Sequence, residues 1–339
     1  MKNILAIIFV IFTSTLSLFS CDGFACTRIV HIDPKAVMIG RNMDWPVQMQ
    51  QQIRVYPRGM PRSGLSLEGS SIQWVSKYGS MVVTAYKDLT AEGINEHGFA
   101  VHLLSLNESD YGKRHANIQG MSIAMWAQYY LDQFENVKEA VQAALKPGYE
   151  LEAPTLPSIG TNVKLHLAME DAQGDSAVVE YVNGVPHVYT GNGNATLTNS
   201  PTYDLQLENL KKYAGFGGEK SLPGTTFSND RFFRATYYNQ HLPLAKSIDD
   251  EVFSILSIMR NVAQPYSEER PLMSYTIWQV VGDLTHRVYY YVSTTSPNMV
   301  KVSLNKFDLS VGASPMMLDI VDHPELTGDI STQFNTLDE

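Results

Sequence analysis

The sequence predicts an α+β protein in which two β-sheets pack face to face between outer helices, a four-layer α/β/β/α sandwich. Strand patterns joined by short turns indicate antiparallel hairpins, and helical spacing of apolar residues is confined to two groups. The last hairpin, 275–292, is apolar on both faces: Ile277 and Val281 point one way, and Trp278 and Val280 the other. A strand that is apolar on both sides needs a covering layer on each face of its sheet.

The individual elements follow from the same patterns. Turn residues separate the strands at Asp33-Pro34, 93–98, 171–174 and 282–285. The predicted strands are 27–32, 36–40, 53–56, 81–86, 99–104, 165–169, 177–182, 275–281 and 286–292. The predicted helices form one group at 121–130 and 137–144, ended by Pro147-Gly148, and a second group at 205–213, 230–240 and 249–262.

Composition excludes several classes of protein. The 339 residues include 25 basic and 35 acidic side chains, for a net charge of −10. Without a basic run the chain is not expected to bind nucleic acid, because phosphate contacts need clustered Lys and Arg. With 44% hydrophobic and only 18% charged residues, it has the material for a packed core and is not expected to be disordered.

The first 25 residues are typical of an export signal. Lys2 is followed by an apolar run over residues 4–19, and small residues lead to a predicted cleavage site after Ala25. We therefore expect a periplasmic or secreted protein whose mature part, 26–339, forms a single domain. No later segment is apolar for long enough to span a membrane.

The cysteines are the most informative residues. The chain has two, Cys21 and Cys26, and cleavage after Ala25 leaves Cys26 as the lone thiol and the first residue. In an exported protein a single cysteine that cannot form an internal disulfide needs another explanation. An alternative stays open, in which Cys21 is the lipid-modified first residue of a lipoprotein.

An N-terminal cysteine contains both halves of a catalytic pair. Its thiol is the nucleophile, and its α-amine, with a reference pKa near 8, can accept the thiol proton and deliver it to a leaving amine. The histidines have no metal-ligand spacing, and His97 and His102 are expected to be satisfied surface or core residues. No metal or cofactor is expected.

The segment 40–45 offers groups that would hold the amine neutral and aim it at the thiol. Arg41 and Asp44 supply a guanidinium and a carboxylate within four residues, at the end of a predicted strand. From these residues alone, a turn with an ordinary ion pair is at least as good an interpretation.

Five blocks in order make the sequence similar to the choloylglycine hydrolase family, which contains bile salt hydrolases and penicillin V acylases. The resemblance covers essentially the whole mature chain. The blocks are Cys26-Thr27, Gly40-Arg41-Asn42-Met43-Asp44, Gly93-Ile94-Asn95-Glu96-His97-Gly98, Leu197-Thr198-Asn199-Ser200-Pro201-Thr202-Tyr203-Asp204, and Leu222-Pro223-Gly224 with Arg231-Phe232-Phe233-Arg234.

The resemblance implies an N-terminal nucleophile hydrolase fold and hydrolysis of linear, non-peptide C–N amide bonds. It implies that Cys26 is the nucleophile with its α-amine as base, and that Arg41 and Asp44 position the thiol and the amine. It further implies that Asn199 supplies the side chain of the oxyanion hole and that Arg231 stabilises the charged site. From sequence alone, Asn199 is typical of a turn and Arg231 of a helix surface.

Two departures from the family pattern affect the finer expectations. Bile salt hydrolases have an asparagine and many penicillin acylases a tyrosine at the position of Ser105, where the family uses the backbone N–H in the oxyanion hole. The short segment between Tyr213 and Leu222 resembles the exported Gram-negative branch and lacks the insertion that helps build tetramers elsewhere. The oligomeric state, including a homo-oligomer, stays open.

The expected partner is a small-molecule amide with an apolar or aromatic acyl group. Trp45, Tyr86 and the strand 99–104 are candidates to line an acyl pocket, although aromatic residues are commoner in the core. The resemblance implies a penicillin V acylase type of activity, with N-acyl homoserine lactones as further substrates. Conjugated bile salts are the alternative substrate class, and a catalytically inactive ligand-binding homologue is the alternative of another class.

Overall fold

The structure is a computed structural model that describes residues 25–86, 89–156, 160–193, 195–266 and 274–337. The predicted signal peptide up to residue 24, including Cys21, lies outside the described residues.

Short strands dominate the chain, and the helices fall in its middle part. The strands are β1 (Cys26–Ile32), β2 (Val37–Trp45), β3 (Ile53–Tyr56), β4 (Pro61–Ser63), β5 (Gln73–Val75), β6 (Ser80–Ala85), β7 (Leu89–Asn95), β8 (Ala100–Ser105), β9 (Gly120–Ser122), β10 (Glu150–Glu152), β11 (Thr155–Leu156), β12 (Thr161–Asn162), β13 (Leu165–Glu170), β14 (Asp175–Val182), β15 (Val185–Asn192), β16 (Ala195–Leu197), β17 (Tyr275–Asp283), β18 (Val288–Ser293), β19 (Met299–Ser303), β20 (Met316–Leu318), β21 (Gly328–Asp329) and β22 (Asn335–Thr336). The helices are α1 (Trp126–Gln133), α2 (Val137–Leu145), α3 (Tyr203–Leu210), α4 (Ser228–Gln240) and α5 (Ile248–Asn261), with 3₁₀ turns at Ile123–Met125 and Leu304–Lys306.

Two large sheets form the middle layers. One has seven strands in the order β16-β1-β2-β17-β18-β19-β21, and the other has nine in the order β15-β14-β13-β8-β7-β6-β3-β20-β22. Helices α4 and α5 pack on the seven-stranded sheet, against β1, β2, β16 and β17, whereas α1 and α2 cover the nine-stranded sheet at β7, β8, β14 and β15. The four-layer α/β/β/α sandwich predicted from the sequence is therefore confirmed.

The hairpin of β1 and β2 places Cys26 inside the seven-stranded sheet, between β16 and β2. Its turn is closed where the Asp33 N–H donates to the Ala36 carbonyl, as the Asp33-Pro34 pair predicts. The antiparallel register pairs Cys26 with Met43 and Arg28 with Arg41. Every residue of β2 is buried, because the second sheet covers one face and α5 covers the other.

Helix α5 begins with strong start signals and lies unusually close to β2. The Ser247 side chain caps it by accepting the Asp250 N–H at 3.1 Å, and acidic residues fill the first turn. Gly40 in β2 faces this helix, and a Cβ built there would lie 2.7 Å from Ile255 Cγ2 and 2.8 Å from Met259 Sδ. Glycine at this position therefore permits the close packing of helix on sheet.

Several element boundaries differ from the sequence prediction. Strand β2 continues through Trp45, so the 40–45 segment lies within a strand and not at its end. The predicted turn 93–98 is shorter, since β7 runs to Asn95. The predicted helix 121–130 is split among β9, a 3₁₀ turn and α1. The strands outside the predicted strand segments are the central strand β7 and the shorter or peripheral strands β4, β5, β9–β12, β15, β16 and β19–β22.

One predicted side-chain direction is also wrong. Ile277 packs in the inter-sheet core with Trp278 and Val280, whereas Val281 packs toward α5. The reason is a β-bulge: Thr276 pairs with Asp44 and Trp278 with Met43, which leaves Ile277 as the extra residue.

Candidate active site

Cys26 is the first residue of β1 and lies buried between the two sheets. Its Sγ is 3.8 Å from the Asp44 carbonyl oxygen and 3.8 Å from Met43 Sδ, both on β2. Burial raises the pKa of the thiol, and the nearby Arg41 guanidinium opposes that shift. The thiol is therefore favoured in its protonated form and needs a base beside it to become a nucleophile.

Asn199 holds the nitrogen of the same residue. The Cys26 N–H donates to Asn199 Oδ1 at 2.6 Å, and Asn199 Nδ2 donates to the Ser105 carbonyl at 2.8 Å. The buried amide thus bridges the start of β1 and the end of β8. Its Nδ2 carries a second N–H, which is the donor that an oxyanion next to Cys26 would need.

Arg231 holds the carbonyl group of Cys26. Its Nη1 donates to the Cys26 carbonyl and to Thr27 Oγ1, both at 2.6 Å, and its Nη2 donates to Asn199 Oδ1 at 2.8 Å. The side chain projects from α4 and is 1% exposed. The helix-surface interpretation of this arginine is therefore wrong, and its charge lies in the interior of the site.

Arg41 approaches the thiol from β2. Its Nη2 donates to the Leu103 carbonyl at 2.6 Å, and its Nε lies 3.3 Å from Glu92 Oε1 in an ion pair whose two side chains are completely buried. The guanidinium thus contacts two adjacent strands of the nine-stranded sheet: β8 through Leu103 and β7 through Glu92. It provides a fixed positive charge beside Cys26 Sγ.

Asp44 is a buried carboxyl next to the same groups. Burial raises its pKa to about 6, although Arg231, a hydrogen bond from Thr276 and Arg41 all act in the opposite direction. Thr276 Oγ1 donates to Asp44 Oδ1 at 2.6 Å, while Oδ2 has no hydrogen-bond partner among the described residues. Asp44 can therefore accept a further hydrogen bond, such as one from a free α-amine.

Sequence reasoning missed the residues that support this site. Thr276 orients Asp44 from β17. Ser228 Oγ accepts the Asn199 N–H at 3.0 Å, and Gln206 Nε2 donates to Ser228 Oγ at 3.1 Å and to the Asn199 carbonyl at 3.2 Å. Threonine, serine and glutamine are common in any sequence and form no motif here. These three residues can therefore be identified only from their contacts in the structure.

A narrow apolar pocket opens beside the thiol. Trp45 and Tyr86, both expected there, line it and are joined by a hydrogen bond from Trp45 Nε1 to Tyr86 Oη at 2.6 Å. Ser105, at the end of β8, also borders it. The lining residues are Cys26, Met43, Trp45, Met49, Ala85, Tyr86, Leu89, Ala91, Leu103, Ser105, Val163 and Leu165.

The two histidines considered from sequence occupy different environments. His97 is partly exposed, with Nδ1 3.3 Å from Glu135 Oε1, whereas His102 is completely buried between Glu92 and Glu170. Within the described ranges, no group of three or more His, Cys, Asp or Glu residues is arranged to hold a metal ion. None of the described helices is long and apolar enough to cross a membrane.

Known proteins resemble the chain over nearly its whole length. The family model described as "Linear amide C-N hydrolases, choloylglycine hydrolase family" matches residues 26–327. A penicillin V acylase of Pectobacterium atrosepticum is 33% identical, over 90% of this chain and 88% of that protein. A bile salt hydrolase/transferase of Clostridium perfringens is 26% identical, over 80% and 90%.

A solved structure agrees with both sequence and fold. The penicillin V acylase of Agrobacterium tumefaciens superposes with a TM-score of 0.82 at 35% identity, covering 92% of this chain and 98% of that one. The family match begins at Cys26, the residue around which the site is built. The chain therefore belongs to the choloylglycine hydrolase family and is an enzyme that hydrolyses linear amide C–N bonds.

Proposed function

We propose that the mature protein is an exported penicillin V acylase type of amidase that uses Cys26 as its nucleophile. The observation that carries the proposal is the set of contacts that fixes Cys26 at the edge of an apolar pocket: Asn199 at its nitrogen, Arg231 at its carbonyl and the Asp44 carbonyl at its thiol. While Ala25 is attached, this nitrogen is an amide and cannot act as a base. Cleavage after Ala25 therefore activates the enzyme.

After cleavage, Cys26 supplies both the nucleophile, its thiol, and the base, its α-amine. The neutral α-amine takes the thiol proton while Sγ attacks the substrate carbonyl carbon, which gives a tetrahedral oxyanion. Asn199 Nδ2 and the Ser105 backbone N–H are the proposed donors to that oxygen, and such a donor contributes roughly 3–4 kcal/mol. The intermediate collapses to a thioester as the leaving amine takes the proton from the α-ammonium group.

Water completes the reaction. The α-amine, neutral again, accepts a proton from water as the hydroxide oxygen attacks the thioester carbonyl. Collapse of the second intermediate breaks the C–S bond and returns the proton to Sγ, so that the products are a carboxylic acid and an amine. Arg41 and Asp44 position the thiol and the amine through both halves.

The substrate proposal depends on the pocket and on the relatives. The pocket is lined by methionine, leucine, valine and aromatic side chains, which suit an apolar or aromatic acyl group. Penicillin V acylases are similar to this chain at 33% and 35% identity. N-acyl homoserine lactones carry acyl chains of the same character. Conjugated bile salts are the second candidate, because a bile salt hydrolase/transferase is also a relative, at 26% identity.

The decisive experiment is a substrate panel with two cysteine variants. Purified mature protein should release 6-aminopenicillanic acid from penicillin V, and Cys26→Ala should abolish the release. Cys21→Ala is the matched control, because cleavage after Ala25 removes that residue and the mature enzyme should be unchanged. Homoserine lactone and bile salt amides in the same panel rank the substrate classes.

The same preparations test export and maturation. Mass spectrometry of the periplasmic fraction should find a chain that begins Cys-Thr-Arg-Ile-Val. Active protein that retains the bond between Ala25 and Cys26, or a membrane-bound form lost in Cys21→Ala, would contradict this maturation. Saturable ligand binding without turnover, unchanged in Cys26→Ala, would contradict the proposed mechanism and favour the inactive homologue.

A further inference from the structure

A row of buried acidic and basic side chains crosses the interior between the two sheets and ends at Arg41. Starting from Arg41 Nε, Glu92 Oε1 lies at 3.3 Å, and Glu92 Oε2 lies 3.4 Å from His102 Nδ1. His102 Nε2 is 2.6 Å from Glu170 Oε1, and Glu170 Oε2 is 2.9 Å from Arg28 Nη2. We call these five residues the charge row. All five side chains are 0% exposed.

The charges in this row alternate in sign along its length. Burial disfavours a charged imidazole, but the carboxylates of Glu170 and Glu92 outweigh it and raise the pKa of His102. Burial likewise opposes the ionisation of Glu92, and Arg41 and His102 reverse that by lowering its pKa. The hydroxyl of Tyr289 faces Glu92 and Glu170 and stays protonated, because burial and both carboxylates raise its pKa.

The row has more basic than acidic groups. With His102 protonated between its two carboxylates, the row holds three basic groups, Arg28, His102 and Arg41, and two acidic ones, Glu92 and Glu170. A buried charge is retained only where another charge or a fixed dipole compensates it. The row ends at Arg41, beside the Cys26 thiol, where the proposed mechanism develops a thiolate or an oxyanion.

Each member of the row limits where the next can lie. Glu92 is held by Trp278 Nε1, which donates to its Oε1 at 2.8 Å, and its other oxygen lies 3.4 Å from His102 Nδ1 as an ion pair. Glu92 in turn pairs with the Nε edge of Arg41, while Leu103 holds the Nη2 edge. Without a cation at position 102, Glu92 would face Arg41 alone and would draw the guanidinium away from the thiol.

We infer that His102 is a positioning residue that, through Glu92, fixes the Arg41 guanidinium beside the Cys26 thiol. This inference rests on the proposed role of Cys26 as nucleophile. His102 touches neither the thiol nor the pocket. It keeps Glu92, and through Glu92 the Arg41 side chain, in one conformation. Its positive charge also offsets part of the negative potential that Glu92 produces at the thiol.

The test compares His102→Gln with Glu170→Gln in the mature enzyme. Both changes nearly conserve side-chain size. The first removes the imidazole, and the second removes the carboxylate that most strongly favours protonated His102. The kcat for each active site, counted by titration of the Cys26 thiol, should fall roughly 10- to 100-fold with little change in KM. The apparent pKa for alkylation of Cys26 by iodoacetamide should rise by about half a unit or more.

His166→Gln is the matched control. His166 is also completely buried and is also paired with a carboxylate, Glu180, at 2.9 Å, but it is not part of the charge row. Its replacement should lower the melting temperature without moving the alkylation pKa. The groups that face the thiol directly, Arg41, Asp44, Arg231 and the α-amine, are unchanged in all three variants.

Two results overturn the inference. One is a His102→Gln and a Glu170→Gln enzyme that lose only thermal stability while kcat per titrated site and the alkylation profile match the wild type. The other is an equal shift of that profile in His166→Gln. An active Cys26→Ala enzyme would instead overturn the proposed mechanism, so the two failures are distinguishable.

Discussion

At the scale of single residues, Thr276 contributes to the ionisation of Asp44 in the proposed active site. Its hydroxyl donates to Asp44 Oδ1 and is one of the influences that lower the pKa of that carboxyl, which burial raises to about 6. In the proposed mechanism the ionised carboxylate of Asp44 accepts a hydrogen bond from the α-amine. As the pH falls, activity should therefore decline first as the α-amine is protonated and again through the Asp44 pKa.

Thr276→Val should move this loss to higher pH. Removal of a hydrogen bond of about 1 kcal/mol raises the Asp44 pKa by roughly 0.7 unit. The lower part of the acidic limb of kcat/KM against pH, below the titration of the α-amine, should shift upward by a similar amount. Thr294→Val is the control, because Thr294 Oγ1 donates to the Ile277 carbonyl and not to Asp44. An unchanged limb in Thr276→Val would mean that Asp44 ionisation does not limit activity.

The sequence could predict the site residues that a family motif contains but not those that support them. Cys26, Arg41, Asp44, Asn199 and Arg231 were expected from the resemblance, and the structure brings them together. The catalytic roles of these residues stay predictions. Thr276 and His102 carry no pattern of their own, because their importance comes from partners on strands far away in sequence.

At the scale of elements, the contact between β2 and α5 sets how closely a helix covers the strand that carries Arg41 and Asp44. A Cβ at Gly40 would lie under 3 Å from Ile255 Cγ2 and from Met259 Sδ and Cγ. Gly40→Ala should therefore push α5 outward and lower the free energy of unfolding by about 1–3 kcal/mol. Chemical denaturation measures the loss.

Gly224→Ala is the control for this prediction. A Cβ at Gly224 would have no atom within 4 Å, and its φ is not positive. Its replacement should be neutral or slightly stabilising, because alanine restricts the unfolded chain more than glycine does. Equal destabilisation of the two variants would contradict the packing argument.

Strands with a clear alternation of apolar residues or a clear turn were predicted well. Strands that form mainly because they pair with a neighbouring strand were not. The hairpin of β13 and β14 has apolar strands around a clear turn, and it lies where it was expected. The edge strand β15 is largely exposed or half-buried and lacks that pattern. The bulge at Ile277 depends on register with β2, which the sequence of β17 alone does not encode.

At the scale of the whole molecule, Glu251 makes stability depend on pH. This carboxyl of α5 is 1% exposed, and neither oxygen has a hydrogen-bond partner among the described residues. Burial, with Asp33 and Asp283 nearby, raises its pKa to about 7 despite the opposing charge of Lys35. The folded state therefore favours the protonated form, and stability falls as the pH rises from the ordinary carboxyl range through about 7.

Glu251→Gln should remove this pH dependence. The variant should melt about 2 °C or more above the wild type at pH 8, with the difference vanishing near pH 4, where both states of the wild type are protonated. Glu219→Gln, at an exposed position, is the control and should leave the melting curve unchanged. A melting-temperature difference that is the same at pH 4 and pH 8 would show that the gain does not come from ionisation.

The charge row has a consequence for the medium in which the enzyme can work. Because all five of its side chains are completely buried, mobile ions in solution cannot come between them, and dissolved electrolyte screens buried pairs far less than exposed ones. The field that Arg41 exerts on the sulfur should thus be nearly the same in fresh water and in brine. For the proposed exported enzyme, the ionisation of the Cys26 thiol should therefore change little with the salinity around it.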